Sequence, residues 1–304
     1  MRILCEDYVS AIRSLAYLKE IEMDDIGFEE RRNDGMNNLD NLQSYEDVEN
    51  LARFTPETFA NYCKLKLQTS EDNKRFIMEH CVRGGAKLDI CEIGSGNSKL
   101  LYNLDREGLV KKAVGYEVSE SRWRFAEKFK EWLHYESHVE NRNENMLESH
   151  SNEVFDIIIA VDIVTQIIVN LDEKAEERYF TWIYEHLKEG GYVFFDLCDF
   201  GRELDELRQY KEYSFWNEFP QDDPFQYGLS RCTQDANGNI IWEKMYYERK
   251  TRTFSKFKNV IKPYAEKDFL QKLQSYHMSG EVFHCYKEPG DLDQGGYLVL
   301  AQKA

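Results

Sequence analysis

Residues Leu88-Asp89-Ile90-Cys91-Glu92-Ile93-Gly94-Ser95-Gly96-Asn97-Ser98 constrain this chain more than any other stretch. An apolar run of strand character enters a glycine-rich turn, and a helix opens behind it. A second strand-like run, Ala113-Val114-Gly115-Tyr116-Glu117, ends on an acid twenty-three residues after Gly94. This layout is that of a Rossmann-like nucleotide site. The glycines let backbone approach a ligand, and an acid at the tip of the second strand can accept from both hydroxyls of a ribose. A dinucleotide site also needs a small residue five positions after its first glycine, where helix and strand pack. That position holds Lys99. A pyrophosphate ligand is therefore disfavoured, and a nucleoside without phosphates fits better.

With these residues the chain resembles the class I S-adenosylmethionine-dependent methyltransferases. Glu92, Gly94 and Gly96 match the acid and Gly-x-Gly of that family's first motif, with Ser98 in place of its common third glycine. Glu117 matches the acid ending the second strand. Val154-Phe155-Asp156-Ile157-Ile158-Ile159-Ala160-Val161-Asp162 matches the fourth strand, and residues 187–196, around Gly190-Gly191, match a helix end, turn and fifth strand. The resemblance covers roughly residues 86–200, and its motifs fall in the family's order.

The resemblance implies S-adenosyl-L-methionine as cofactor, and a site at the carboxyl ends of the strands. Glu117 would hold the ribose diol, and Gly94, Ser95 and Gly96 would pass beside the methionyl part. Glu92 would reach the amino group, Val118 and Ser119 would flank the adenine, and Glu144 or Asn145 would read its amino group. Asp162, at the end of strand four, is expected to contact cofactor or acceptor and is the first candidate for a catalytic role. His277 and His284 are further candidates, because histidine is the usual base near neutral pH. The base-methylating branch of the family carries an Asn- or Asp-Pro-Pro-aromatic motif where this chain has Val161-Asp162-Ile163-Val164. No grouping of His, Cys, Asp and Glu has metal-ligand spacing, so no metal is expected.

Charge narrows the partners. The chain carries 56 acidic and 39 basic side chains, a formal charge of −17, which repels phosphate backbones and anionic lipid. Nucleic-acid and membrane partners are not expected; a small-molecule acceptor is, and a homodimer is compatible. Seven cysteines, at positions 5, 63, 81, 91, 198, 232 and 285, form no Cys-x-x-Cys pair. Scattered thiols, with no apolar run of membrane-spanning length and no signal-peptide core, indicate a cytoplasmic protein.

The expected architecture is α/β: a Rossmann-like, doubly wound, seven-stranded sheet with an N-terminal helical lid and an antiparallel β insertion after strand five. Residues 1–83 form the lid or cap, residues 84–200 and 261–304 the cofactor-binding domain, and residues 201–260 the insertion on the substrate side. Tyr8, Ile12, Leu15 and Leu18 recur at helical spacing, and residues 23–41 read as a loop. Thr55-Pro56 starts one helix; Ser70-Glu71-Asp72 starts another, ended by Gly84-Gly85. Strands are expected at 87–92, 112–117, 138–142, 155–161 and 191–197. A helix spans 173–187 with Asp172 as N-cap and is stopped by Gly190-Gly191. Asn237-Gly238 predicts a hairpin between residues 227–233 and 240–247. A helix over 266–276 precedes strands at 281–286 and 296–302. The aromatics Tyr210, Tyr213, Phe215, Trp216, Phe219, Phe225 and Tyr227 line a substrate pocket or fill the insertion's core; packing is favoured.

The leading function is methyl transfer to an N or O of a small acceptor such as an amine or amino sugar. A protein methyltransferase and a non-catalytic binding protein of the same fold are the alternatives, and an NAD-dependent oxidoreductase is disfavoured by Lys99.

Overall fold

The computed structural model describes residues 27–28, 49–198, 200–221, 223–284 and 296–304. The expected helix around Tyr8–Leu18 lies outside them, as does most of the 23–41 loop.

Two helices, α1 (Pro56–Thr69) and α2 (Glu71–His80), precede the first strand. Thr55 caps α1 reciprocally with Thr58, and Pro56 occupies the first turn, where a missing N–H costs nothing. Ser70 does not cap α2 with its side chain; its hydroxyl donates to the Leu67 carbonyl instead. The helix stops at His80, before the glycine pair.

Strand and helix then alternate: β1 (Leu88–Ile93), α3 (Lys99–Arg106), β2 (Val110–Glu117), α4 (Glu120–Leu133), β3 (Val139–Asn143), β4 (Phe155–Ala160), α5 (Val164–Ile168), α6 (Ala175–His186) and β5 (Leu187–Cys198). After the short helix α7 (Gly201–Tyr210) come β6 (Tyr213–Glu218), β7 (Phe225–Gln234), β8 (Ile240–Glu248) and β9 (Thr253–Ile261). Then follow α8 (Glu266–Ser275), β10 (Met278–Phe283) and β11 (Gly296–Lys303).

The main sheet has the order β3-β2-β1-β4-β5-β11-β10. Strands β1 to β5 are parallel, and β11 runs antiparallel to both of its neighbours. The apolar run in β4 follows from burial on both faces. Ile158 and Ala160 join one core with Phe180, Phe195 and Phe269. Ile157 and Ile159 join the other with Phe76, Phe125 and Phe194. Helices α1 and α2 bury Phe59, Tyr62, Leu67, Phe76 and Ile77 in that second core. Phe194 stacks on Phe76 with centroids 5.0 Å apart and so joins sheet to cap. Phe194→Ala is expected to cost about 3–5 kcal/mol, measured as a lowered midpoint of denaturant unfolding.

The insertion is a second sheet, ordered β9-β8-β7-β6 and antiparallel, with the two-residue strand Gly27–Phe28 beside β9. Its β7–β8 hairpin turns at residues 235–239, where the Asp235 carboxylate accepts from the backbone N–H of Asn237 and of Asn239.

Three further boundaries differ from the sequence reading. Helix α6 starts at Ala175, and Asp172 accepts from the Lys174 N–H one turn earlier rather than capping it. Leu187 caps the end of α6, its N–H donating to the Ile183 carbonyl, and also opens β5: it is buried and pairs with Phe155, so Gly190-Gly191 form an irregularity inside the strand rather than the stop of the helix. Strand β10 begins at Met278, directly behind α8, because buried Met278 must pair with Lys303. Among the described residues no helix is long and apolar enough to cross a membrane, and the five described cysteines are free thiols.

Candidate active site

Strand β1 lies between β2 and β4, so the chain crosses to opposite sides of it and leaves a crevice at its carboxyl end. Glu92, Gly94, Ser95, Gly96, Glu117, Val118, Glu144, Asn145 and Asp162 all line that cavity. Ser119 does not line it. Its hydroxyl caps α4 by accepting from the Arg122 N–H, and its own N–H donates to Glu117.

The turn after β1 is tightly fitted. Gly94 sits at φ +65°, and a Cβ there would lie 2.3 Å from Val164 Cγ2; only glycine meets both conditions without strain. Ser98 keeps the left-handed conformation at φ 57°, and its hydroxyl donates to Asn141 Oδ1 at 2.6 Å.

Glu117 is buried, and its carboxylate closes the turn: one oxygen accepts from the Gly96 N–H at 2.8 Å, the other from the Ser119 N–H at 2.7 Å. Burial raises its pKa, against the pull of the Arg122 guanidinium and of these two N–H groups. A carboxylate has about four acceptor positions, so two remain for a ligand's hydroxyls.

Glu92 is 2% exposed, and its Oε2 has no hydrogen-bond partner among the described residues. Burial pushes its pKa well above the ordinary carboxylate range; Lys99 opposes this, while Asp162 and Glu117 add to it. A carboxyl raised in the folded state stabilises the fold below its unfolded pKa, and that contribution is lost as pH rises through the folded value. Glu92→Gln is therefore expected to gain in Tm on the wild type as pH increases between about pH 5 and 9. Scanning calorimetry across that range checks it; a constant difference would contradict it.

Asp162 follows β4 at the cavity mouth. It and Ile163 both adopt left-handed conformations, at φ 55° and 60°, a strain that non-glycine residues keep only where the surroundings impose it. Lys99 Nζ donates to the Asp162 carboxylate at 2.8 Å. Burial disfavours the Lys99 charge, but Asp162 outweighs it and the ammonium pKa rises. Asp162 thus lies in an ion pair, which suits orienting a ligand better than taking up a proton.

The histidines lie elsewhere. His277 follows α8 beside Tyr184 and Ala304, at the end of the sheet where β5 begins, opposite the crevice. His284 lies at the carboxyl end beyond β10 but faces Glu266 at 3.3 Å and does not line the cavity. None of the seven insertion aromatics lines it either: Phe225 and Tyr227 are buried in the insertion, and Tyr213 and Phe215 pack beside Ile240 and Ile261. Ile167 of α5 belongs both to that cluster and to the cavity wall.

Several lining residues were not anticipated: Glu49, Lys66, Asn97, Lys99 and Arg122. Glu49 is 1% exposed. Its Oε1 accepts from Tyr62 OH at 3.0 Å and Asn97 Nδ2 at 2.6 Å, and its Oε2 faces Arg122 Nε at 3.4 Å. Burial works against its charge, yet Arg122 and Lys66 hold its pKa below the usual value. The insertion approaches the same region. Arg53 is ion-paired with Glu248 and lies over the Phe225 ring, and half-buried Asp223 feels the charges of Lys66 and Glu49.

A family model described as a methyltransferase domain matches residues 85–263. Among solved structures, the chain is similar to an S-adenosylmethionine-dependent methyltransferase from Clostridium acetobutylicum ATCC 824, with a TM-score of 0.61 and 19% identity over 77% of this chain and 92% of that one. It is also similar to CalS10, an amino pentose methyltransferase from Micromonospora echinaspora, with a TM-score of 0.57 and 14% identity over 83% and 98%. The sugar N-methyltransferase KedS8 from Streptoalloteichus sp ATCC 53650 follows, with a TM-score of 0.53 and 16% identity over 77% and 86%. No curated protein sequence matches. The family model spans more than half of the chain and takes in the Gly94 turn, Glu117 and Asp162, and on that match the chain belongs to the methyltransferase domain family.

Proposed function

We propose that this protein transfers the methyl group of S-adenosyl-L-methionine to an amine nitrogen or hydroxyl of a small acceptor. The observation that carries the cofactor is the pairing of Glu117 with the Gly94–Gly96 turn, which leaves carboxylate lone pairs for a ribose diol. The unpartnered Glu92 Oε2 suits the cofactor's ammonium, which would meet a buried acceptor that otherwise has none. Glu144 and Asn145 line the same cavity and would read the adenine amino group. The sulfonium supplies an activated methyl group, so the protein's work is to align the acceptor and exclude water. Asp162, held by Lys99 at the mouth, would orient the acceptor's amine or hydroxyl.

A small acceptor is supported by what covers the cavity. Lys66 and Glu49 come from the N-terminal cap, while Ile167 connects the opposite wall to the insertion. The amino pentose and sugar N-methyltransferases among the similar structures agree with an amino sugar or related amine. The test is transfer of radiolabelled methyl from S-adenosylmethionine to a panel of amines, amino sugars and hydroxylated metabolites, beside a panel of peptides. Label in the small amines or sugars supports the reading, and label in peptides alone overturns it.

A further inference from the structure

The Lys99–Asp162 ion pair has a direction within the cavity. Lys99 is the first residue of α3, directly behind the Gly94–Ser98 turn, and its side chain is only 18% exposed. Asp162 stands at the mouth with its side chain 62% exposed. The cationic end therefore lies toward the turn and the anionic end toward solvent. Both ends are held in place: Lys99 Nζ donates to Asp162 Oδ2 at 2.8 Å, and Asp162 is kept on a left-handed backbone at φ 55°. Burial works against the Lys99 charge, and Asp162, Glu49 and Glu92 uphold it. Opposite charges fixed in a partly buried site act on any charge that comes to lie beside them.

We propose that this ion pair favours movement of positive charge from cofactor to acceptor, with Lys99 acting on the sulfonium and Asp162 on an acceptor amine. The inference rests on the cofactor reading above and narrows its acceptor to an amine. Glu117 and Glu92, assigned there to the ribose and the amino group, flank the turn that Lys99 follows. The sulfonium joins those two parts, which brings it within reach of the Lys99 charge. Methyl transfer to a neutral amine uses the nitrogen lone pair for the new N–C bond and returns the S–C pair to sulfur. One positive charge leaves sulfur and appears on nitrogen, and the ammonium formed gives its proton to water. Lys99 disfavours that charge where it starts, and Asp162 favours it where it arrives. The pair thus stabilises the transition state more than the bound ground state. A neutral amine needs no base before attack, in keeping with an Asp162 that is already paired.

Calorimetric titration with S-adenosylmethionine and S-adenosylhomocysteine reads this field, because the two ligands differ by the methyl group and its positive charge. The wild type, Lys99→Met, Lys99→Arg and Asp162→Asn are compared at low ionic strength, where charge effects are least screened. Lys99→Met should shift the affinity ratio toward S-adenosylmethionine by about 5- to 30-fold. Asp162→Asn should shift it the opposite way, by a smaller factor because Asp162 is the more exposed partner. Lys99→Arg should keep the wild-type ratio. A merely structural role would weaken both ligands together and leave the ratio unmoved. Asparagine tolerates the left-handed backbone, so Asp162→Asn decides the matter should Lys99→Met not fold. An unchanged or reversed ratio in either folded variant would overturn the inference and leave the cofactor reading intact. Binding of neither ligand by the wild type would overturn both readings.

Discussion

Glu117→Ala is expected to weaken binding of S-adenosylhomocysteine by at least about 100-fold while leaving the protein folded. Two charge-assisted hydrogen bonds to a ribose diol, at roughly 1.5–2 kcal/mol each, account for that factor. The variant also frees the Gly96 and Ser119 N–H groups that the carboxylate now receives, so the turn loosens and the loss grows. Glu117→Gln separates the two effects. Its carbonyl can accept from one backbone N–H, but its amide cannot accept from a second hydroxyl, and it should fall between wild type and alanine. Calorimetry gives the affinities, and an unchanged affinity in Glu117→Ala would remove the residue from the site.

Gly94→Ala should be the most damaging single methyl in the site. The added Cβ meets Val164 Cγ2 at 2.3 Å, on a backbone at φ +65°. The left-handed conformation costs alanine about 1 kcal/mol and the overlap about 1–3 more, so the unfolding free energy should drop by about 2–4 kcal/mol. Relief is possible only by moving the turn or the start of α5, and both line the cavity, so cofactor binding should fall with stability. Val164→Ala in the same chain should restore part of each by removing the methyl in conflict. Denaturant unfolding and ligand titration of the single and double variants measure this coupling; a stable, fully binding Gly94→Ala would refute the packing argument.

How legible the molecule is in its sequence depended on the range of the interactions. The parallel strands show as apolar runs because both of their faces are buried: Ile157-Ile158-Ile159 alternates between two cores and shows no polar face. The hairpin at Asn237-Gly238 shows because turn chemistry is local. The cavity residues in the motifs around β1, β2 and β4 were legible for the same reason, since each lies within a few residues of a strand end. Glu49 and Lys66 were not. They come from the cap, and only the packing of α1 against α3 and α4 carries them to the turn that starts with Gly94. Nothing in the sequence singles out Arg122, and Lys99 serves there only as an argument against pyrophosphate. In the structure Lys99 has a partner of its own, Asp162.

The boundaries at Leu187 and Met278 share one cause. Periodicity puts Leu187 at the end of a helix and it does cap α6, yet the same residue already pairs with Phe155 as the first of a strand. Buried Met278 likewise starts β10 before the polar residues that follow would suggest. Burial decides where such residues go, and the chain reaches it with whichever element geometry allows. His277 illustrates the topological limit. An antiparallel last strand sends the turn after α8 to the end of the sheet away from the crevice, which residue type alone does not reveal.

The central claim is that the crevice over β1 binds an S-adenosyl nucleoside, and titration of the wild-type protein with S-adenosylmethionine, S-adenosylhomocysteine and NAD by calorimetry tests it most directly. The account predicts micromolar binding of both sulfur nucleosides and none of NAD; binding of NAD, or of none of the three, would contradict it.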